Sequence, residues 1–150
     1  MFRTIARGCA AGAAGTTALN AVSYLDMALR GRPSSSIPEV VVEKITTKAG
    51  HPVPDGEGRD NRLSGLGALS GIAVGVGTGA LVSLLHRAGL RSQAWLGAVL
   101  TGALAMTLAD APMAGLDISD PRTWSPTDWT SDAIPHLVYG LVTYGLVASA

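Results

Sequence analysis

Residues 63–85 read LSGLGALSGIAVGVGTGALVSLL, a run without a single Asp, Glu, Lys or Arg. A helix rises 1.5 Å per residue, so about 20 such residues cross a hydrocarbon core. A water-facing helix of this length shows a polar stripe at every third or fourth position. Here Gly, Ala, Ser and Thr fill the places between the leucines and valines instead. In lipid the chain must satisfy its own backbone hydrogen bonds, and a helix does so within one segment. The stretch predicts a membrane-spanning helix.

Working outward, residues 8–29, 95–116 and 134–150 repeat the pattern. The four stretches together contain two formal charges, Asp26 and Asp110, while the other 66 residues hold twenty. The expectation is an all-α polytopic membrane protein, one integral membrane domain over residues 1–150 built as a four-helix transmembrane bundle. The composition, 47% hydrophobic and 15% charged, is too apolar for disorder. Eleven basic and eleven acidic side chains leave no net charge, which excludes a basic surface for nucleic acid. The one cysteine, Cys9, has no partner for a disulfide within the chain and reads as a small helix residue. Arg3 and Arg7 resemble the charged start of a signal peptide, but the alanine-rich run behind them lacks a compact leucine core and reads as a retained span.

Four spans put the N-terminus, Arg87 and the C-terminus on one face. That face carries Arg3, Arg7, Arg87 and Arg91 and no acid; the opposite face carries all eleven acids and seven basic residues. Counting basic residues alone favours the second face as cytoplasmic, whereas the unneutralised arginines in short segments favour the first. The latter gives the expected orientation: a multi-pass protein of a bacterial cytoplasmic (inner) membrane with both termini inside.

The two longer loops carry local signals. Ser36 and Glu39 have capping-box spacing, and Val41, Val42, Ile45 and Ala49 follow at helical intervals opposite Glu43, Lys44 and Lys48. They predict a short amphipathic helix lying at the membrane surface. In the last loop, Trp124 and Trp129 belong at the water–lipid boundary, Thr130 or Ser131 is placed to cap the fourth span, and Asp132 favours its positive end.

Gly67, Gly71, Gly75 and Gly79 recur every four residues and form one bare stripe along the second span. Such a stripe lets another helix approach backbone to backbone. Gly8, Gly12 and Thr16 offer a matching strip on the first span, and Ala94, Ala98 and Gly102 on the third. Two uses are open: packing within one bundle, or a zipper between copies of the chain.

Asp26, Asp110 and His136 fall near the same membrane face because alternate spans run in opposite directions, and Arg62 precedes the second span on that face. Charge in hydrocarbon seeks a partner, so these four are expected in one wet pocket. A proton-responsive site and a purely structural set of pairs both fit. Asp132 and His136 share a helix face at i and i+4, but without a third placed ligand no metal site is expected. There is no nucleophile elbow, phosphate loop, HExxH or CxxC, and neither an enzyme activity nor a cofactor is expected.

Pro112-Met113-Ala114-Gly115-Leu116, Trp129, Asp132 and His136-Leu137-Val138 resemble the C-terminal part of the YagU-like bacterial inner-membrane proteins. Arg30-Gly31-Arg32-Pro33-Ser34-Ser35, Asp120-Pro121-Arg122-Thr123-Trp124 and Pro135-His136-Leu137-Val138-Tyr139-Gly140 are similar to a group of small actinobacterial membrane proteins. The resemblance implies a four-span inner-membrane protein and carries over no catalytic residue; the first loop and the C-terminus depart from the YagU-like pattern. The function expected is a non-enzymatic accessory or structural subunit of a larger envelope complex, with membrane lipid and other membrane subunits, or further copies of itself, as partners. The alternative is a small oligomeric channel or proton-linked transporter built on the glycine stripe.

Overall fold

The computed structural model describes residues 1–149. Each apolar stretch is helical, and all but the third run on into charged flanks: α1 spans Phe2–Arg30, α3 Arg59–Arg87, α4 Ala94–Gly115 and α5 Pro126–Ala148. A shorter helix, α2, occupies Ile37–Lys48 of the first loop, and Pro121–Thr123 forms a 3-10 turn in the last. No strand occurs among the described residues, so the fold is all-α. By length and composition, α3 and α4 are the two helices able to cross a membrane.

Two starts differ from expectation. The last helix begins at Pro126, well before residue 134, because Ser125 rather than Thr130 or Ser131 caps it. The Ser125 side chain accepts from the Asp128 backbone N–H while the Asp128 carboxylate accepts from the Ser125 N–H, a reciprocal capping box with Pro126 at the first helical position. Residue 150 of the expected fourth span lies outside the described residues. In α2 the expected Ser36–Glu39 box does not form: Ser36 sits at φ −93°, ψ 2°, away from the extended cap conformation, and its side chain makes no cap bond.

Successive long helices run in opposite directions. Ser83 Oγ donates to the Thr4 carbonyl and the Tyr144 hydroxyl to the Ser92 carbonyl at one end, while Arg30 donates to Ser131 Oγ at the other. Helix α1 packs on α3 and α5, and α5 packs in turn on α4; α3 and α4 meet over a short distance only, although one tight turn joins them.

The packing inverts the pattern of a water-soluble bundle. The most deeply buried larger side chains are Tyr139, Thr78 and Thr143, each at most 1% exposed, whereas Leu69, Leu100, Leu141 and Leu146 point outward. Glycines set the helix separations. A Cβ on Gly8 would lie 2.6 Å from the Gly79 carbonyl oxygen, and one on Gly79 2.6 Å from the Gly12 Cα. At the α4–α5 seam a Cβ on Gly140 would sit 2.6 Å from the Gly102 nitrogen, and one on Gly97 would collide with the Tyr144 ring. Such close approach gains backbone dispersion contact that larger side chains would prevent. The buried hydroxyls stay satisfied: Thr16 and Thr78 donate to carbonyls four residues back, and Tyr139 donates to the Gly75 carbonyl at 2.6 Å.

The stripe on α3 is therefore divided among three neighbours. Gly79 meets α1, and Gly75 meets Thr16 of α1 and Tyr139 of α5. Gly67 is covered by Pro38 and Glu39 of α2, and Gly71 faces open space. On α1 the expected strip of Gly8, Gly12 and Thr16 is buried; on α4 Ala98 and Gly102 are buried but Ala94 is exposed.

Candidate functional site

The loop-bearing end of the bundle gathers most of the charge, and the structure separates the four predicted cluster residues into three places. At the first, Asp110 of α4 lies against Asp132 and within the field of His136, both on α5. The helical i, i+4 spacing brings His136 Nδ1 to 2.9 Å from the Asp132 carbonyl oxygen and 3.3 Å from Asp132 Oδ1. Two acceptors around Nδ1 select the tautomer with its proton there. The other Asp132 carboxylate oxygen is buried without a hydrogen-bond partner. Prolines flank the group: Pro112 and Pro135 lack the N–H that would reach the carbonyls of Leu108 and Ser131. Two helices thus bring acid and imidazole together. Asp132 is the member that the sequence placed on the right helix face without assigning it to the pocket; the i, i+4 pairing with His136 was its signal.

Asp26 occupies the second place. Its two oxygens take Arg30 Nη1 at 3.3 Å and Arg32 Nε, so its charge is neutralised by its own helix end and by the turn after Gly31, which holds φ 64°. Arg30 Nη1 also donates to Ser131 Oγ at 2.7 Å, one residue before Asp132. Asp26 therefore borders the first group through Arg30 and does not enter it.

Arg62 is the correction. It is exposed in the first turns of α3 and donates to the Glu57 carbonyl at 3.1 Å, in the turn just before its own helix. The arginine that serves as a structural tie is Arg59, whose guanidinium bridges Glu43 of α2 and Asp55. Lys44 adds a second fastening at 2.7 Å to the Leu116 carbonyl at the end of α4. Glu43 and Lys44 were expected on the solvent side of α2; they clamp it to the bundle instead, because each finds a partner at the helix ends beneath.

Trp124 of the last loop and Trp129 of the first turn of α5 stand together, ring centroids 5.0 Å apart, with Trp124 Nε1 donating to Ser119 Oγ. At the opposite end Trp95, at the start of α4, is exposed with Nε1 bonded to Gln93. In the last loop, Arg122 grips Asp120 through its guanidinium and its backbone N–H, holding that carboxyl below the usual carboxylate range. Among the described residues, no three His, Cys, Asp or Glu side chains are placed to hold a metal ion.

No family model matches this chain, and neither curated proteins nor solved structures give a match.

Proposed function

We propose that the chain is a four-span integral membrane protein with a non-enzymatic role, an accessory or structural subunit that joins other membrane proteins through its lipid-facing sides. The inverted packing carries this reading: glycine, threonine and tyrosine inside, leucine outside. Apolar surface of this kind is favourable against acyl chains and against other helices, and unfavourable against water. Helices α1 and α5 turn polar side chains inward, Thr16 on α1 and Tyr139, Thr143 and Tyr144 on α5. Within the one bundle α1 lies antiparallel to α3 and α5 antiparallel to α4, which supports four spans in one slab. Tryptophans at both ends mark its two boundaries. The resemblance to YagU-like proteins favours a bacterial inner membrane, and the arginines at the terminal face favour cytoplasmic termini.

The channel alternative is the weaker reading, since Gly67, Gly75 and Gly79 are covered within one copy and only Gly71 of the stripe is open for a neighbour. Extraction in mild detergent followed by native mass separates the two. Co-purifying foreign subunits are the expected result; a closed homo-oligomer alone would favour the channel. For topology, in a Cys9→Ala background, cysteines introduced at Ser35 and Thr127 label from the same side of intact cells. Labelling from opposite sides would refute four spans.

A further inference from the structure

Beside the start of α3 lies a shallow groove of about 470 Å³. His51, Asn61 and Arg62 are polar members of its rim, which Pro52, Val53 and Pro54 complete, and its floor is Gly65, Leu66 and Leu69. We infer that this groove is a binding site for one anionic glycerophospholipid, its phosphate at Arg62 and one acyl chain along Leu66 and Leu69. The inference rests on the membrane placement proposed above and adds a specific ligand to it.

Three observations favour this occupant. The first is depth. Arg62, Gly65, Leu66 and Leu69 stand at i, i+3, i+4 and i+7, one face of one helix. At 1.5 Å per residue, Leu66 and Leu69 lie about 6 and 10 Å further along the axis than Arg62. Arg62 immediately precedes the charge-free run, so the stripe descends from headgroup level into the acyl layer, in the order that a phospholipid presents phosphate and chain. The second is charge. Acids outnumber bases at this end of the molecule, with Asp55, Glu57 and Asp60 close by in sequence, yet no carboxylate is among the residues lining the groove. The third is availability. Arg62 Nη1 is steadied by the Glu57 carbonyl, and its Nε and Nη2 make no other hydrogen bond among the described residues. A guanidinium held at one corner keeps a second edge for a phosphate oxygen pair. The floor is equally open: Leu69 is 61% exposed, and a Cβ on Gly65 would touch nothing within 4 Å. A soluble anion would use the rim but not the floor, and an apolar helix would use the floor but leave the cation unanswered.

The test uses the full chain reconstituted in vesicles of equimolar phosphatidylcholine and phosphatidylglycerol, checked by flotation, then extracted gently for native mass spectrometry. The wild type retains phosphatidylglycerol over phosphatidylcholine. Arg62→Gln lowers that preference about fivefold, the contribution of one basic side chain at an anionic membrane surface. Leu69→Gln lowers retention of either lipid, and Arg91→Gln at the opposite end changes nothing. Equal preference in wild type and Arg62→Gln, or an equal fall in Arg91→Gln, overturns the lipid site while leaving the membrane placement standing. Failure of the wild type to float overturns both.

Discussion

The middle of the bundle and its loop-bearing end are held by different physics. In the middle, helices meet through atoms that side chains would displace: Gly8 and Gly12 against Gly79, and Gly102 against Gly140. Specificity there is chiefly steric, with the Tyr139 hydroxyl on the Gly75 carbonyl as a polar addition. At the loop end, helices meet through charged side chains: Glu43 of α2 with Arg59 of α3, Arg30 of α1 with Ser131 of α5, and Lys44 of α2 with the Leu116 carbonyl at the end of α4. The difference teaches where the fold tolerates change. A backbone contact has no alternative rotamer, so any added atom forces the helices apart. An exposed or half-exposed ion pair can rearrange, and is worth little singly.

The sharpest way to break the comparison is one substitution at two glycines of α3. Gly79→Val brings methyl groups against the α1 backbone and is expected to destabilise by at least about 3 kcal/mol, at the upper end for overpacking. Gly71→Val, with open space around it, stays within about 0.5 kcal/mol. Thermal unfolding in detergent, followed by circular dichroism, reads both; equal effects would mean the seam is not the organising contact.

Next in size is Tyr139→Phe. It removes the buried hydroxyl that donates to the Gly75 carbonyl, which keeps its own helix bond, and a loss of about 0.5–1.5 kcal/mol is expected in the same assay. At the loop end Asp110→Asn keeps shape and some hydrogen bonding against Asp132, and a shift within about 1 kcal/mol is expected if the group serves structure alone. A larger shift, or a pH response present in wild type and absent in the variant, would move the group from structure to proton chemistry. The smallest effect belongs to Asp120. Its carboxyl is held below the usual range by Arg122, so its contribution to the 3-10 turn is present above the unfolded-state value and fades as pH falls through the lowered folded-state value. Amide shifts of Arg122 and Thr123 across an acid titration follow that loss, with no change in the shifts of residues 75–79.

How much of this was legible in the sequence follows the same division. The charge-free runs gave the helices, and the four-residue glycine interval gave a packing stripe, because both are properties of one segment. Which neighbour each glycine meets was not legible. Gly67 meets a loop helix and Gly71 nothing, and that depends on where α2 is fastened through Arg59 and Lys44. The polar group was half legible for a related reason. Antiparallel helices place Asp26, Asp110 and His136 at one end of the bundle, but lateral position around it decides contact, and a residue's place along its helix tells only the level. Arg62 had the right depth and the wrong side. Ser125 was overlooked because the apolar run starts well after the helix does, and a capping box can precede it by two turns.

The neighbour relations carry a consequence for how the chain is made. Helix α4 follows α3 after a tight turn yet rests mainly on α5, which the ribosome delivers later, while α1 finds α3 as soon as that helix emerges. On the membrane placement proposed above, insertion builds one settled pair and then leaves α4 without its principal contact until synthesis has passed His136 and Tyr144. During that interval Gly97, Ala98 and Gly102 face outward, and any chaperone or protease acting on the nascent protein meets α4 as an orphan hairpin arm. A chain ended before Pro126 should keep α1 and α3 protected from proteolysis in membranes while α4 turns over.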